Sequence, residues 1–567
     1  MKSNFIISNI TIYDESINSF FLTSKSLKSN FEKKSYSVPN ELILNSKDME
    51  QQTQFILNKY NFYKEVLANK LNQIHNISLD QDFWDKSFNL YIIRVIMSLW
   101  IRFNKFNNFD ITKHQVKVLN SDLYRYVNSS PDSLFSLMID DFYQEQIFSI
   151  YIKTFYPDYT FDTVDYHDET VIDNSNSTVY DFSKLKLEKV NILDTYIDPL
   201  ICKDINKGIK NFYLPDFYIE NHFKNKSIRD ALVFEESLFY DEFDKFFFNS
   251  IKYLLPQTYL ENFHNIYTEY NKVDFSKAKY ILCENWMSND KLSLFLAIAK
   301  NKGILHYSLE HGHTNYIKNN YAVFLYRMVD NYISYGWKNN KISNLISTGM
   351  WRIESSYIKD KKNVDVLFVG YGNSHLYDTD FINGHYLNNA AQENYFHNMK
   401  IVFDGLSISS KEQITYKQYP SYRNQLFDID YEYTKRFKSL KSLAHNKELG
   451  YGNIEFISKC KLVIIGNIGT AFFEDLYYGV PLITWYSKEF SYIEEEYLDI
   501  FEQLESVGIL QKSPSSMASF INKIIIDPYV WWYSDEVQQV RNNFLNLYSS
   551  PSKKFKVFLN NLYEDRM

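Results

Sequence analysis

Residues 463–485, VIIGNIGTAFFEDLYYGVPLITW, run from an apolar strand through Gly466, Asn467, Ile468 and Gly469 into Thr470 and a helix that carries Glu474 about one turn in. A strand that stops at a glycine turn and restarts as a helix aims backbone N–H groups outward from the carboxyl edge of a sheet, which is an anion site in form. Glycine at 469 lets a phosphate approach the backbone, and Thr470 can cap the helix or donate its hydroxyl. Capping by Thr470 and dipole compensation by Glu474 would be a purely structural account. That account is incomplete, because a capping box wants its acid three residues after the cap, where Phe473 stands.

A second constellation is LEHGHTNY at 309–316, in which Glu310, His311, Gly312 and His313 follow a predicted strand. Imidazoles that titrate near neutrality, beside a glycine that permits close approach, suit proton transfer or contact with a phosphate. His306 adds a third histidine, yet without acidic ligands at set spacing the group falls short of a zinc site, and no metal is expected. The plain alternative is a turn histidine satisfied by its neighbours. Lys417 and Arg423, in YKQYPSYRNQ, follow another predicted strand, where a point charge and a planar fork can hold a diphosphate. Alone they would read as solvent-facing charge. GYGNSH, with Gly370 and Gly372, is part of a dinucleotide fingerprint and lacks the third glycine. P-loop, GxSxG and HExxH motifs are absent.

The elements that must hold these residues follow from apolar spacing. Over 49–106 apolar residues recur at helical intervals (Ile56, Tyr60, Tyr63, Val66, Leu67, then Phe88, Ile92, Val95, Ile96, Leu99), which predicts a helical block. After about residue 275 the rhythm becomes strand, helix, strand: AKYILCEN, then DKLSLFLAIAKNKG closing at Gly303, then ILHYSLEHGH, VDNYISYG and LISTGM. A second series starts at VDVLFVGYGNSH, continues with MKIVFDGLS (399–407) and QITYKQYP as strands, and closes with 463–485. Such alternation predicts two α/β units in tandem, each a parallel sheet faced by helices, with a charged seam near 351–364.

At 567 residues the chain exceeds one ordinary core, consistent with two or more domains. A net charge of −8 provides no positive field for nucleic acid, so nucleic-acid binding is not expected. The three cysteines, Cys202, Cys283 and Cys460, are far apart and form no CxxC pair, which fits a reducing cytoplasm rather than a disulfide scaffold. The most membrane-like run, LYIIRVIMSLWI at 90–101, is too short to span a bilayer and contains Arg94, so a buried helix is expected.

With these pieces placed, the chain resembles a GT-B glycosyltransferase, two Rossmann-like domains facing across a cleft. More narrowly it resembles a family of transferases encoded among bacterial O-antigen and surface-carbohydrate genes. LNQIHNISLDQDFWDKSFNLYIIRVIMSLWIRF (71–103) and DDFYQEQIFSIYIKTF (140–155) are similar to two consecutive helical blocks of that family. The likeness continues through EHGHTNY, where the family tends to have Gln-His-Gly-Gly, then DNYISYGWK, ITYKQYP and GNIGTAFFEDLYYGVPLITW. Glu310 replaces the family's Gln, His313 its second Gly, and Lys417 a more usual Arg.

The resemblance implies an α/β fold of two Rossmann-like domains with an added N-terminal helical block. Residues 1–355 would be the acceptor-side domain, with the helical block at about 49–155 and an α/β unit at about 275–350. Residues 356–540 would bind the nucleotide-sugar, and 541–567 would form a helix able to cross back to the first domain. The implied activity is cytoplasmic, metal-independent transfer of a sugar, with no cofactor beyond the donor substrate, to a bacterial surface glycan or its lipid-linked precursor. Peripheral association with the inner face of the membrane stays open. Gly469, Thr470, Asn467, Gly370 and Gly372 would line the donor, Lys417 and Arg423 would hold its phosphates, and Glu474 its ribose hydroxyls. His311 is the first candidate for general base, or a phosphate contact if the base is Glu310 or Asp290, with Gly312 and His313 touching acceptor or phosphate. Two rivals remain: a donor carrying a CMP-linked ulosonic acid or a polyol phosphate, and a non-catalytic scaffold of the same shape.

Overall fold

The helical spacing over 49–106 resolves into two helices, Ser46–His75 and Gln81–Asn107. Asp80 caps the second, its carboxylate accepting from the Phe83 N–H at 2.7 Å. The run at 90–101 lies in that second helix and is buried almost all round, because it packs between Ser46–His75, Glu242–Leu254 and Asp290–Asn301. Tyr63 stacks on Phe247 with ring centroids 3.9 Å apart and donates its hydroxyl to the buried Asp244 at 2.6 Å. The computed structural model describes residues 3–6, 19–21, 36–37, 46–108, 110–127, 141–158, 161–164, 180–193, 195, 197, 201, 208–214, 226–284, 289–311, 326–352, 364–370, 389–417, 436–437, 441–443, 457, 460–466, 468–485 and 497–566.

Short strands β1 (Ser3–Ile6), β2 (Ser19–Phe21), β3 (Tyr36–Ser37) and β4 (His114–Gln115) form a small parallel sheet, and β5 (Lys117–Leu119) pairs with β6 (Asp162–Val164). Two larger sheets organise the rest. The first comprises β7 (Val190–Leu193), β8 (Ile209–Phe212), β9 (Tyr280–Cys283), β10 (Leu305–Leu309), β11 (Asn331–Ser334) and β12 (Leu345–Ser347), in the order β12-β11-β10-β9-β7-β8. The second comprises β13 (Val364–Val369), β14 (Ile414–Lys417), β15 (Lys441–Leu443), β16 (Cys460–Ile465), β17 (Leu482–Trp485) and β18 (Leu510–Gln511), in the order β15-β14-β13-β16-β17-β18. Every pairing in both sheets is parallel.

The second order is the doubly wound Rossmann arrangement, whose direction of winding reverses between β13 and β16; the first reverses between β7 and β9. Two Rossmann-like domains and an added helical block are therefore present. Strands such as β7, β16 and β17 are near-continuous apolar runs because both of their faces are covered.

Two readings of the sequence change. MKIVFDGLS is not a strand: residues 399–405 end the helix Asn389–Gly405, and Met399, Val402 and Phe403 bury one helical face. The first sheet also takes in β7 and β8, well before the alternation that begins near 275. The helices Glu242–Leu254 and Phe263–Asn271 stand between them and β9, so no local rhythm announces them.

Near the C-terminus, Arg541 on the helix Asp535–Tyr548 donates to the carbonyls of Leu476 at 2.8 Å and Tyr477 at 3.0 Å, where Gly479 (φ 77°) ends the helix Thr470–Tyr478. The chain then enters the first lobe. Ser550 N–H donates to Tyr335 O and Met350 N–H to Ser550 O, both at 2.8 Å. The helix Ser552–Tyr563 sets Phe555 5.1 Å from Trp351 and Phe558 6.2 Å from Tyr307, ring centroid to centroid. Beyond it, Asp565 pairs with Lys189 at 2.9 Å and Lys279 at 2.8 Å. Among the described residues no helix is long and apolar enough to cross a membrane.

Gly349 permits this crossing, since a Cβ there would lie 2.1 Å from the Pro551 carbonyl oxygen. Gly349→Ala is expected to lower the melting temperature and to expose the end of the chain to limited proteolysis, read by mass spectrometry; an unchanged digest would show that the crossing does not depend on this approach.

Lys86 joins the helical block to the first sheet. It is buried, donates to Met328 O at 2.6 Å and meets His306 Nδ1, while His306 N–H donates to Asp330 at 2.7 Å. Burial pushes the Lys86 amine down to about 7, with Asp330 opposing, and pushes His306 well below its usual value, with Lys86 adding to the effect. A lysine depressed in the folded state is charged in the unfolded chain at pH values where the folded protein holds it neutral. Its burden on stability is therefore full below pH 7 and lifts as pH rises from 7 toward the ordinary lysine value. Wild-type stability should climb over that window by at most ~1.4 kcal/mol per pH unit from this group, and Lys86→Met should flatten the climb in urea melts.

Candidate functional site

The carboxyl ends of the strands in both sheets supply the site. In the first lobe, Glu284 follows β9, Glu310 and His311 follow β10, Tyr335 and Trp337 follow β11, and Arg352 lies beyond β12. In the second, Lys417 ends β14, Gly370 follows β13, and Gly466 begins the turn after β16, with Gly466 N–H donating to Val369 O at 3.0 Å. Gly469 is the cap of the helix Thr470–Tyr478 and contributes no side chain, and a Cβ placed on it would meet nothing within 4 Å. The helix thus begins on a bare backbone beside the point where strand order reverses, and Glu474 stands in its second turn.

One set of ion pairs crosses from lobe to lobe. Glu284 is wholly buried, and its Oε1 lies 3.0 Å from His311 Nδ1 and 3.1 Å from Arg352 Nη2. The other guanidinium nitrogen, Nη1, lies 3.8 Å from Glu474 Oε1. Side chains of Arg352 and Glu474 are 16% and 19% exposed, whereas that of His311 is 45% exposed, so the imidazole is the reachable end of the chain of contacts. Burial raises the Glu474 carboxyl and Glu284 adds to the rise, while Arg352 and Lys417 oppose it. Burial likewise lowers the Lys417 amine against the pull of Asp475 and Glu474, and holds Asp475 well above its usual value.

The residues singled out from sequence divide accordingly. His311 and Glu474 are joined through Glu284 and Arg352, while Lys417, Gly370 and Gly469 lie at strand ends of the second sheet, where Lys417 acts on Glu474 through its charge. Glu310 and Asp290 do not present carboxylates to that junction. Glu310 is fully buried and its Oε2 accepts from Tyr335 N–H at 3.1 Å and Trp337 Nε1 at 2.9 Å, which ties β10 to the turn after β11. Asp290 is buried at the start of the helix Asp290–Asn301, bonded to the Thr258 hydroxyl, and burial lifts it to about 6. Each carboxylate is thus closed to solvent with one oxygen engaged inside the first lobe, which is not the placement expected of a base that meets a substrate hydroxyl. Gly312, His313, Gly372, Arg423 and Asn467 lie outside the described residues, as does the side chain of Thr470.

Sequence reasoning missed Glu284 and Arg352. Glu284 had a signal, being an acid immediately after an apolar strand in a parallel sheet, where ligand-binding groups collect. Arg352 sat at the charged seam and read as linker. Among the described residues, no group of three or more His, Cys, Asp or Glu could hold a metal ion.

A model of the LIC12162 family transferases matches residues 16–561. No curated protein matches the chain in sequence. Solved structures with related shape include an α,α-trehalose-phosphate synthase (UDP-forming) from Burkholderia xenovorans in complex with glucose-6-phosphate, at 8% identity over 66% of this chain and 100% of that one, TM-score 0.35. A candidate UDP-N-acetylglucosamine 2-epimerase from Listeria monocytogenes aligns at 11% identity over 63% and 95%, TM-score 0.34. The spinosyn forosaminyltransferase SpnP aligns at 7% identity over 78% and 100%, TM-score 0.29. At such scores the architecture rests on the strand orders above.

Removing Arg352 would leave Glu284 buried without its guanidinium. Arg352→Ala should cost about 3 kcal/mol in chemical denaturation, and Arg352→Ala combined with Glu284→Leu should recover much of it. Additive losses in the double variant would mean that the two side chains do not interact.

Proposed function

The chain belongs to the LIC12162 family of transferases, and from that premise we propose that it moves a sugar from a nucleotide-sugar donor to a hydroxyl of a glycan acceptor. The observation that carries this reading is the juxtaposition of a bare helix start and Lys417 in one lobe with a half-exposed histidine in the other, linked through Glu284, Arg352 and Glu474.

The second lobe holds the donor. Backbone N–H groups at Gly469 and Thr470, with the Lys417 ammonium, receive phosphate oxygens, and Glu474 accepts from ribose hydroxyls. The first lobe holds the acceptor. His311 takes the proton of the acceptor hydroxyl as its oxygen bonds to the anomeric carbon, and the bond from that carbon to phosphate breaks with its electron pair leaving on the nucleotide. Electrostatic stabilisation of that departing charge by the helix start and Lys417 is the main protein contribution, and no metal is invoked. The acceptor we favour is a bacterial surface glycan, in keeping with the motifs that the chain shares with transferases of surface-carbohydrate gene clusters.

A thermal-shift panel of UDP, GDP, CMP and dTDP tests the donor site first. A nucleotide at a hundredfold excess over its Kd stabilises the native state by ~2.7 kcal/mol, so at least one should raise the melting temperature by several degrees. Selective response to CMP would move the reading to a monophosphate leaving group, and no response to any would favour a scaffold. On the nucleotide sugar so identified, His311→Ala should lower turnover by ~10²–10⁴-fold. Glu474→Ala should weaken donor use by roughly 10–100-fold. Near wild-type turnover in both variants would end this reading.

A further inference from the structure

Glu284 presents one oxygen to two donors. Its Oε1 is 3.0 Å from His311 Nδ1 and 3.1 Å from Arg352 Nη2, and the residue is wholly shielded from water. A guanidinium can only donate, and its positive charge favours the ionised carboxylate, which can only accept. A neutral imidazole at that distance must then carry its hydrogen on Nδ1. The ring nitrogen left with a lone pair is Nε2.

Strand register brings the pair together. Glu284 is the first residue beyond β9 and His311 the second beyond β10, adjacent parallel strands in register from Leu305↔Tyr280 to Ser308↔Cys283. Glu310, immediately before His311, is pinned inward by Tyr335 N–H and Trp337 Nε1, so the following residue emerges at the surface. Arg352 follows the buried Trp351, which stacks on Tyr335 with centroids 4.0 Å apart.

We propose that Glu284 is a positioning residue for His311: it selects the Nδ1–H tautomer, leaves Nε2 to accept the proton of the incoming hydroxyl, and stabilises the imidazolium that results. The tautomer stands on geometry alone, while the proton's origin rests on the transferase reading above. In the transfer step the acceptor oxygen–hydrogen bond breaks toward Nε2, the oxygen–anomeric carbon bond forms, and the anomeric carbon–phosphate oxygen bond breaks with its pair going to the nucleotide. The positive charge gained by the ring lies 3.0 Å from Glu284 Oε1, where a buried carboxylate is strongly felt. Arg352 tempers this by sharing the same oxygen, and its pairing with Glu474 ties the same guanidinium to the donor side.

The test is ¹⁵N spectroscopy of histidine-labelled full-length protein, with the His311 signals assigned by loss in His311→Gln. With the ring neutral, wild-type Nδ1 should give a pyrrole-type shift and Nε2 a pyridine-type shift. Glu284→Leu, which removes the acceptor, should lose that pattern and lower turnover ~10²-fold or more, with nucleotide-induced stabilisation unchanged; Glu284→Gln, which keeps an acceptor oxygen, should retain the pattern and recover part of the rate. A wild-type ring carrying hydrogen on Nε2, or a Leu variant with the wild-type pattern, overturns the proposal. Since the wild-type spectrum decides the tautomer by itself, an unfolded Leu variant would not rescue the idea. His311→Ala with wild-type turnover would instead sink the base assignment and leave the tautomer standing.

Discussion

The arrangement depends on a single guanidinium that is shared between lobes. Arg352 neutralises Glu284, which is wholly buried, and approaches Glu474 across the junction. A buried carboxylate is tolerable only with a paired charge and hydrogen bonds, so the position of Glu284 presupposes that Arg352 is fixed. Trp351 fixes it by stacking on Tyr335, and the returning chain at Ser550 locks the same corner through two backbone bonds. The end of the polypeptide thereby positions a group that sits some two hundred residues earlier in the chain.

The helical block has a related task. Strand β10, which leads to His311, packs against the helix Asp290–Asn301, and that helix in turn packs on Gln81–Asn107. A helix apolar on all sides needs cover on all sides, and the N-terminal helices provide it. The cost is buried polarity at the seam, visible in Lys86 and His306, both held away from their charged forms. Stability of the first lobe is thus coupled to pH through groups distant from the candidate chemistry.

Strand positions were legible wherever apolar runs were bounded by glycine or charge, as at β9, β10, β13, β16 and β17. MKIVFDGLS misled because a short apolar cluster satisfies strand and helix periodicity alike, and only its continuation from Asn389 settles the matter. β7 and β8 were hidden because the pairing that ties them to the sheet, β7 with β9, spans the intervening helices. At the site, His311, Glu474 and Lys417 stood out by type and place, while Glu310 and Asp290 had the same credentials and turned inward. Whether a carboxylate at a strand end faces a substrate or the core is set by side-chain direction and by which N–H groups are near, and neither is written in local spacing.

The sequence by itself determined the alternation of strands and helices, the glycine turn that opens the helix at Thr470, and the residue types available at strand ends, since these follow from local periodicity and backbone freedom. Tertiary structure alone decided that Glu284 would meet His311 and Arg352, and that Arg352 would reach Glu474. Those contacts join residues separated by 27 to well over 100 positions, and their distances depend on the register of parallel strands and on how two separately wound sheets are held together. Charge pairing acts over a few ångströms, and no pattern read along the chain carries that information.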